Sequence, residues 1–182
     1  MSLRVTPSQT VGPFFEIGLA SLYSADMAGP SVRGTRVVLG GRVLDGDGAP
    51  IPDALLEFWQ ADADGRYPAR DLPLAAAAPP EFSGFGRVAT DAEGRFSVKT
   101  IQPGPVDEQA PHLCVQIFMR GLLKPVHSRI YFPDDPKLGH DPLLALVPSA
   151  RRSTLIARHA GENVLEWDVH MQGEGETVFF EF

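Results

Sequence analysis

The sequence predicts an all-β chain in which short strands and short helical segments are joined by long loops. Eighteen glycines and seventeen prolines among 182 residues, 43% of which are hydrophobic, are typical of many brief elements separated by turns. Several stretches alternate apolar and polar residues, which is the pattern of a strand with one face in a core. A chain of this length can bury one core, so we expect a single domain over residues 1–182 with an N-terminal arm of about 35 residues.

The clearest strand patterns occur in four stretches. Residues 36–44 and 54–60 are dense in Val, Leu, Phe and Trp, and the Asp-Gly pairs between them indicate a turn. Residues 94–99 and 164–171 alternate apolar and polar positions, so each should have one buried face. In the last stretch the inward side chains would be Leu165, Trp167, Val169 and Met171, and the outward ones Glu166, Asp168 and His170.

The best helix candidate lies between Pro142 and Arg158. Asp141 can cap its N-terminus and Pro142 suits the first helical position. Pro148 should break this helix in two. Residues 72–80 contain four consecutive alanines next to prolines, which favours an irregular surface excursion.

Charge and composition exclude several classes of protein. A formal net charge of −7 argues against nucleic-acid binding, which needs clustered Lys and Arg, and the pair Arg151-Arg152 is isolated. The single cysteine, Cys114, cannot form an internal disulfide. Residues 1–4 lack the apolar core of a signal peptide, so we expect a cytoplasmic protein. The longest apolar stretches, such as residues 143–147, fall far short of the roughly 20 residues that span a bilayer.

A fifth predicted strand, residues 112–118, carries two residue types that bind metals. His112 and Cys114 would share one of its faces. The opposite face would carry Leu113, Val115 and Ile117. A His and a Cys at this spacing more often reflect packing than coordination, and the same holds for Tyr67, which offers a phenolate after an Asp-Gly turn. The remaining motifs do not assemble into a calcium loop, a phosphate-binding loop or a serine hydrolase triad.

Longer stretches resemble a known enzyme family. Residues 55–67 (LLEFWQADADGRY), followed by Phe85-Gly86-Arg87 and by residues 100–105 (TIQPGP), are similar to the signature of the intradiol ring-cleavage dioxygenases, specifically the protocatechuate 3,4-dioxygenases. Residues 6–14 (TPSQTVGPF) and 172–180 (QGEGETVFF) resemble the α chains of that family more specifically. The resemblance covers nearly the whole chain and implies an antiparallel β-sandwich.

Catalytic chains of this family hold ferric iron with two tyrosines and two histidines. The first tyrosine is matched by Tyr67, but the second belongs directly after Pro-Gly-Pro, where this chain has Val106. The His-x-His pair is matched by His112 alone, because Cys114 stands in place of the second histidine. Ferric iron is a hard ion that anionic oxygen ligands stabilise, so the lost phenolate matters most. The resemblance therefore implies that these four positions form a vestigial metal site and that the chain binds no cofactor.

The resemblance also implies a partner. In the family the α and β chains share a fold, and Fe(III) is carried by the β subunit alone, within a higher-order α/β oligomer. The β-chain iron directs the cleavage of protocatechuate by O2 to 3-carboxy-cis,cis-muconate. Residues of the α chain line the same cavity from across the interface, and in this sequence they are matched by Thr10, Gly12, Pro13 and Arg120. These would contact substrate, while the chain would have no catalytic residue of its own.

Each of these residues also has a purely structural interpretation. Arg120 can attract anionic substrate through charge-assisted hydrogen bonds, but an arginine beside a loop glycine more commonly closes a surface ion pair. Thr10 can brace a turn, and Gly12 and Pro13 can shape an extended arm.

Two other functions are open for the whole chain. It can be a self-sufficient dioxygenase that uses the three remaining candidate ligands and an unforeseen fourth, or a non-enzymatic β-sandwich binding module. Stoichiometric iron and activity in the isolated chain would favour the first. Failure to associate with any dioxygenase β chain would favour the second.

Overall fold

The computed structural model of the chain describes residues 5–68 and 81–181. The predicted excursion at residues 72–80 lies outside the described residues. The strands of the described part are β1 (Arg36–Leu44), β2 (Leu55–Gln60), β3 (Phe85–Ala89), β4 (Arg95–Ile101), β5 (His112–Phe118), β6 (Val126–Tyr131), β7 (Arg158–Gly161), β8 (Val164–Glu166) and β9 (Val169–His170). The helices are α1 (Pro13–Leu19) and α2 (Pro142–Leu146), with 3₁₀ segments at Ala20–Leu22, Leu138–His140 and Ser149–Leu155.

The strands form two sheets that pack face to face. One has the order β4-β1-β8-β7, with β9 also paired to β1, and the other has the order β3-β2-β5-β6. Apolar side chains from both sheets make up the main core, so the predicted β-sandwich is confirmed. One detail differs from a fully antiparallel arrangement, because β8 and β9 run parallel to β1.

Alternation along β5 decides which residues face away from the core. Leu113, Val115 and Ile117 are at most 2% exposed and lie in the main core, as predicted. The residues between them point to the opposite face of the sheet. His112 and Cys114 therefore share the outer face, which is where the candidate site is built.

The strand predicted over residues 164–171 is interrupted. It divides into β8 and β9 because Trp167 and Asp168 lie between two stretches of pairing with β1. The Asp168 carboxylate accepts a hydrogen bond from the Arg42 N–H at 2.9 Å, and a Cβ added to Gly41 would lie 1.8 Å from the Trp167 carbonyl oxygen. Asp168 also pairs with Arg158, so its side chain is only 12% exposed instead of facing solvent. The buried members are Leu165, Trp167 and Val169 as predicted, Glu166 is exposed as predicted, and Met171 and His170 are partly buried.

The helical region predicted after Asp141 is present and is divided at Pro148, as expected. The Asp141 side chain accepts hydrogen bonds from the N–H groups of the first turn, and α2 stops at Leu146, before Pro148. A 3₁₀ segment follows Pro148, so the predicted break is confirmed; that segment ends at Leu155, and strand β7 begins at Arg158. The helical region ends there because of a competing backbone pairing, in which the Ala157 N–H donates to the Tyr131 carbonyl at 3.0 Å.

Among the strands and α-helices of the described residues, four were not predicted from the sequence: α1, β3, β6 and β7. Helix α1 lies inside the N-terminal arm and has a proline in its first turn, a position that needs no backbone donor. The division into an arm of about 35 residues and one domain stays a prediction. Within the described residues, no helix is both long and apolar enough to cross a bilayer.

Candidate functional site at the two ends of strand β5

Two glycines hold the loop after β2 against the loop after β4. Gly65 has a φ of +79°, and a Cβ added to it would lie 2.0 Å from the Pro105 carbonyl oxygen. A Cβ on Gly104 would lie 2.6 Å from the backbone nitrogen of Gly65. A side chain at either position would push the two loops apart. Tyr67, two residues after Gly65, is thereby kept beside the loop that leads to Val106.

The side chains of Tyr67, Cys114 and Arg129 meet on the outer face of the second sheet. Arg129 on β6 is the cross-strand partner of Cys114 on β5. Burial raises the pKa of the Cys114 thiol, and the Arg129 charge with hydrogen bonding from Arg129 and Tyr67 offsets part of that rise. Burial and the neighbouring Cys114 raise the pKa of the Tyr67 phenol. These three residues, with His112, are called the thiol cluster below.

His112 begins β5 with its ring buried. Its Nδ1 lies 2.7 Å from the Ala110 carbonyl oxygen. Because a carbonyl oxygen only accepts, Nδ1 carries the proton and Nε2 of the neutral ring keeps its lone pair. Burial and the Arg129 charge lower the pKa of His112, which favours that neutral form. The ring thus retains the tautomer and backbone support of a metal-binding histidine.

Asp141 connects the elements that surround His112. Its carboxylate accepts hydrogen bonds from the Tyr131 O–H at 2.9 Å and the Ala110 N–H at 2.8 Å, in addition to capping α2. Burial raises the pKa of Tyr131 far above its usual range, so the phenol donates as a neutral O–H. The Tyr131 ring lies against the His112 ring, with centroids 5.8 Å apart. One buried carboxylate therefore fixes three segments around the histidine.

Val106 opens a tight turn that reaches the thiol cluster through Gln109. The Gln109 N–H donates to the Val106 carbonyl at 2.9 Å, and Gln109 Oε1 accepts from Arg129 Nη1 at 2.6 Å. The Val106 side chain offers no ligand atom, so this turn contributes an amide to a guanidinium instead of a phenolate to a metal. Arg129 Nε is buried and has no hydrogen-bond partner among the described residues.

The far end of β5 carries Arg120 in a turn that is tied to the N-terminal arm. Thr10 Oγ1 accepts a hydrogen bond from the Gly121 N–H at 2.8 Å, across 111 positions of sequence. Arg120 Nη2 lies 3.6 Å from Asp53 Oδ2, and the two side chains are 61% and 46% exposed. These four residues are called the arm corner below. The brace and the ion pair that the sequence suggested are both present, and both leave the guanidinium largely open to solvent.

Gly12 and Pro13 mark the start of α1. Gly12 is the N-cap residue with an ordinary φ of −97°, and Pro13 occupies the first turn. Within the described residues, no heavy atom lies within 4 Å of a Cβ added to Gly12. Neither the backbone conformation nor the packing of this chain therefore requires glycine at this position.

Helix α1 is anchored on one side and uncovered on the other. Phe15 packs on Phe118 at the end of β5, with ring centroids 5.3 Å apart. Phe14 and Ile17 are 82% and 65% exposed. Large apolar side chains this exposed on a short helix mark a surface that another molecule can cover.

The two ends of β5 are too far apart to act on one ligand. Cys114 and Phe118 are four steps apart along the extended strand, about 13 Å at ~3.3 Å per step, and Arg120 lies two residues beyond Phe118. Arg120 consequently serves a different part of the surface from the thiol cluster.

Comparison with known proteins gives a consistent result. A family model described as dioxygenase matches residues 18–173. The protocatechuate 3,4-dioxygenase α chain of Burkholderia cepacia is 43% identical over 197 residues, which cover 99% of this chain and 98% of that protein. The corresponding β chain of Burkholderia cepacia is 35% identical over 158 residues, covering 79% of this chain and 67% of that protein. The chain belongs to the intradiol ring-cleavage dioxygenase family.

A solved structure supports the same fold. The dioxygenase domain of a dioxygenase and carbohydrate-binding fusion protein from Streptomyces sp. SirexAA-E aligns with a TM-score of 0.67 at 25% identity. The alignment covers 83% of this chain and 88% of that one. The resemblance predicted from the sequence is therefore confirmed.

Intradiol dioxygenases are iron-dependent, but the thiol cluster does not fit ferric iron. It offers one phenol, one imidazole and one thiol, and the position of the second phenolate holds Val106. Among the described residues, no group of three or more His, Cys, Asp or Glu side chains is arranged to hold a metal ion. The permanent charge of Arg129 also acts directly on Cys114 and His112.

Arg129, Gln109 and Asp53 were not recognised from the sequence. Arg129 could have been found from the register of the β5–β6 hairpin, because pairing Ile117 with Val126 brings Cys114 opposite Arg129. Asp53 precedes β2 with a left-handed φ of 62°, and no spacing rule connects it to Arg120.

Proposed function

We propose that this chain is the α subunit of a protocatechuate 3,4-dioxygenase and completes an active site whose iron is bound by a β subunit. The observation that carries the proposal is the hydrogen bond from Gly121 to Thr10, which holds the N-terminal arm beside Arg120. Thr10 and Arg120 are both residues for which the resemblance implies substrate contact. Thr10 lies outside the matched residues 18–173, and a relative aligned with 99% of this chain is an α chain.

The role of Arg120 is electrostatic. The β-subunit iron supplies the oxidative chemistry, in which both atoms of O2 enter the product as the bond between the two hydroxylated carbons breaks. Protocatechuate carries one carboxylate and its cleavage product carries three. The Arg120 guanidinium stays charged at physiological pH and, being 61% exposed, attracts these anions beyond the edge of its own chain. Charge-assisted hydrogen bonds then orient the carboxylate.

Gly12 and Pro13 contribute shape to the same cavity. The space beside Gly12 is not filled by the described residues of this chain, so it is open to substrate or to the β chain. Pro13 fixes its own φ and begins α1 without needing a backbone donor. The arm is thereby held in one conformation at its point of contact.

The β subunit covers the apolar surface of the arm. Phe14, Ile17 and Leu22 are more than half exposed along α1 and the segment after it, and Leu123 is 64% exposed beyond the arm corner. Obligate subunit interfaces are large and apolar. These exposed apolar side chains are therefore more favourably covered by a partner subunit than by water. The complete enzyme is a higher-order α/β oligomer.

Coexpression with a protocatechuate 3,4-dioxygenase β chain tests the proposal. We expect a complex with iron in proportion to its β chains, and turnover of protocatechuate that requires both chains. The full-length chain produced alone is the matched control. Iron and turnover in that control would favour the self-sufficient dioxygenase, whereas no association with the β chain would favour the binding module.

A further inference from the structure

Every segment that supplies an iron ligand in the family converges on Arg129 in this chain. Its cross-strand neighbour is Cys114, and Gln109 from the turn of Val106 binds its Nη1 at 2.6 Å. Its charge also acts on Tyr67 from the loop after β2. A guanidinium therefore lies among the positions from which a metal would be held.

The Arg129 guanidinium is fixed and permanently charged. Its Nε is buried and unpartnered within the described part of the chain, while Nη1 is held by Gln109. Arginine does not lose its proton in proteins, so this charge cannot be removed by burial. Unpaired buried donors are rare and destabilising, so this charge is held among the ligand positions at some cost in hydrogen bonding.

We infer that Arg129 is an internal cation that takes the place of the metal in the thiol cluster and excludes metal ions from it. The inference deepens the proposed function, on which it rests for the expectation that this chain carries no iron. The replacement of the family's tyrosine and histidine ligands by Val106 and Cys114 is then only part of the reason why this site binds no iron. Restoring both donors leaves a like charge beside any incoming cation, so metal binding stays weak until Arg129 is also replaced.

The experiment compares three full-length variants after exposure to Fe(II) and reoxidation in air. V106Y/C114H restores the family's ligand types, and V106Y/C114H/R129Q also removes the internal charge. V106Y/C114H/R129K is the matched control because lysine keeps the charge. We expect about one iron per chain and tyrosinate-to-iron visible absorption in the Gln variant, and about tenfold less iron in the other two. Stoichiometric iron in V106Y/C114H would overturn the inference, as would a folded Gln variant that binds no more iron than the Lys variant.

A smaller change keeps the inference testable if the multiple variants do not fold. R129Q and R129K in the otherwise unchanged chain are titrated with Co(II), which reports thiolate ligation by its visible absorption. We expect R129Q to bind Co(II) at least about tenfold more tightly than R129K or the unchanged chain. Equal affinities would show that the guanidinium does not control the site. Both assays omit the β chain, so their outcome is separate from the success or failure of α/β reconstitution.

Discussion

The thiol cluster and the arm corner lie at opposite ends of one strand and are held in opposite ways. Around the thiol cluster, His112 and Asp141 are 3% and 1% exposed, and their hydrogen bonds stay within the chain. At the arm corner, one backbone hydrogen bond to Thr10 and one exposed ion pair hold Arg120. At the first end, His112 and Asp141 are buried and hydrogen-bonded within the chain, whereas the second end leaves a charge and an apolar helix face uncovered.

Changes at the two ends should therefore affect different properties of the protein. Breaking a buried network removes several satisfied groups at once, so changes near the thiol cluster should lower the free energy of unfolding. Exposed groups contribute little to stability, so changes at the arm corner should appear in turnover of the α/β complex.

The largest expected effect is on stability. Asp141→Ala removes the partner of the Tyr131 O–H and the Ala110 N–H and also uncaps α2. We expect the free energy of unfolding to fall by about 3 to 5 kcal/mol in urea denaturation. Asp91→Ala is the matched control, because Asp91 accepts two backbone N–H bonds in an exposed turn and should cost about 1 kcal/mol. Equal losses would contradict the contrast.

The next effect is on turnover. Arg120→Ala in the α/β complex should lower kcat/KM for protocatechuate by roughly 10- to 150-fold, the equivalent of a charge-assisted hydrogen bond of about 1.5–3 kcal/mol. Iron content should not change. Arg120→Lys should recover part of the loss, since lysine keeps the charge without the planar fork.

Substrate charge separates this role from that of a surface ion pair. Catechol lacks a carboxylate, so Arg120→Ala should slow its turnover much less than that of protocatechuate. Asp53→Asn serves as a second control, because it removes the exposed ion pair and keeps the arginine, and should change kcat/KM within about 1 kcal/mol. Unchanged turnover of protocatechuate by an intact Arg120→Ala complex would remove Arg120 from the site.

A smaller effect is expected from the anchor of the arm. Thr10→Val keeps the shape of the side chain and removes the acceptor of the Gly121 N–H. Losing one hydrogen bond of about 0.5–1.5 kcal/mol should lower kcat/KM about 2- to 12-fold in the complex. Because Thr10 is exposed, the unfolding midpoint of the chain alone should stay the same. A lower midpoint with normal turnover would assign Thr10 to folding instead.

Strand patterns predicted the core correctly because alternation follows directly from burial. β1 and β5 have the predicted bounds, and the inward residues of β5 are those expected from the period of two. The break at Asp168 escaped prediction, since it depends on a side chain accepting the Arg42 N–H from a neighbouring strand. Local alternation carries no information about such a contact.

The candidate site was predictable only in part. The family resemblance pointed to Tyr67, His112 and Cys114, and the fold brings these onto one face. Arg129 has no motif of its own and becomes visible only once the register of β5 and β6 is known. Long-range pairing, not residue type, decides that a guanidinium meets the thiol.

The smallest expected effect is a change in pH dependence at the buried end. Burial and the Arg129 charge lower the pKa of His112 below its usual value of 6.5. His112 therefore binds a proton more readily in the unfolded chain than in the folded chain. The stabilisation from the neutral ring is complete above pH 6.5 and is lost as the pH falls through the lower pKa of the folded chain. His112→Asn keeps a donor for the Ala110 carbonyl and removes this titration. Between about pH 7 and about pH 5, the variant should lose less of its free energy of unfolding than the unchanged chain. The exposed His140 provides a matched His→Asn control, and an identical acid loss in His112→Asn would place the pH dependence elsewhere in the molecule.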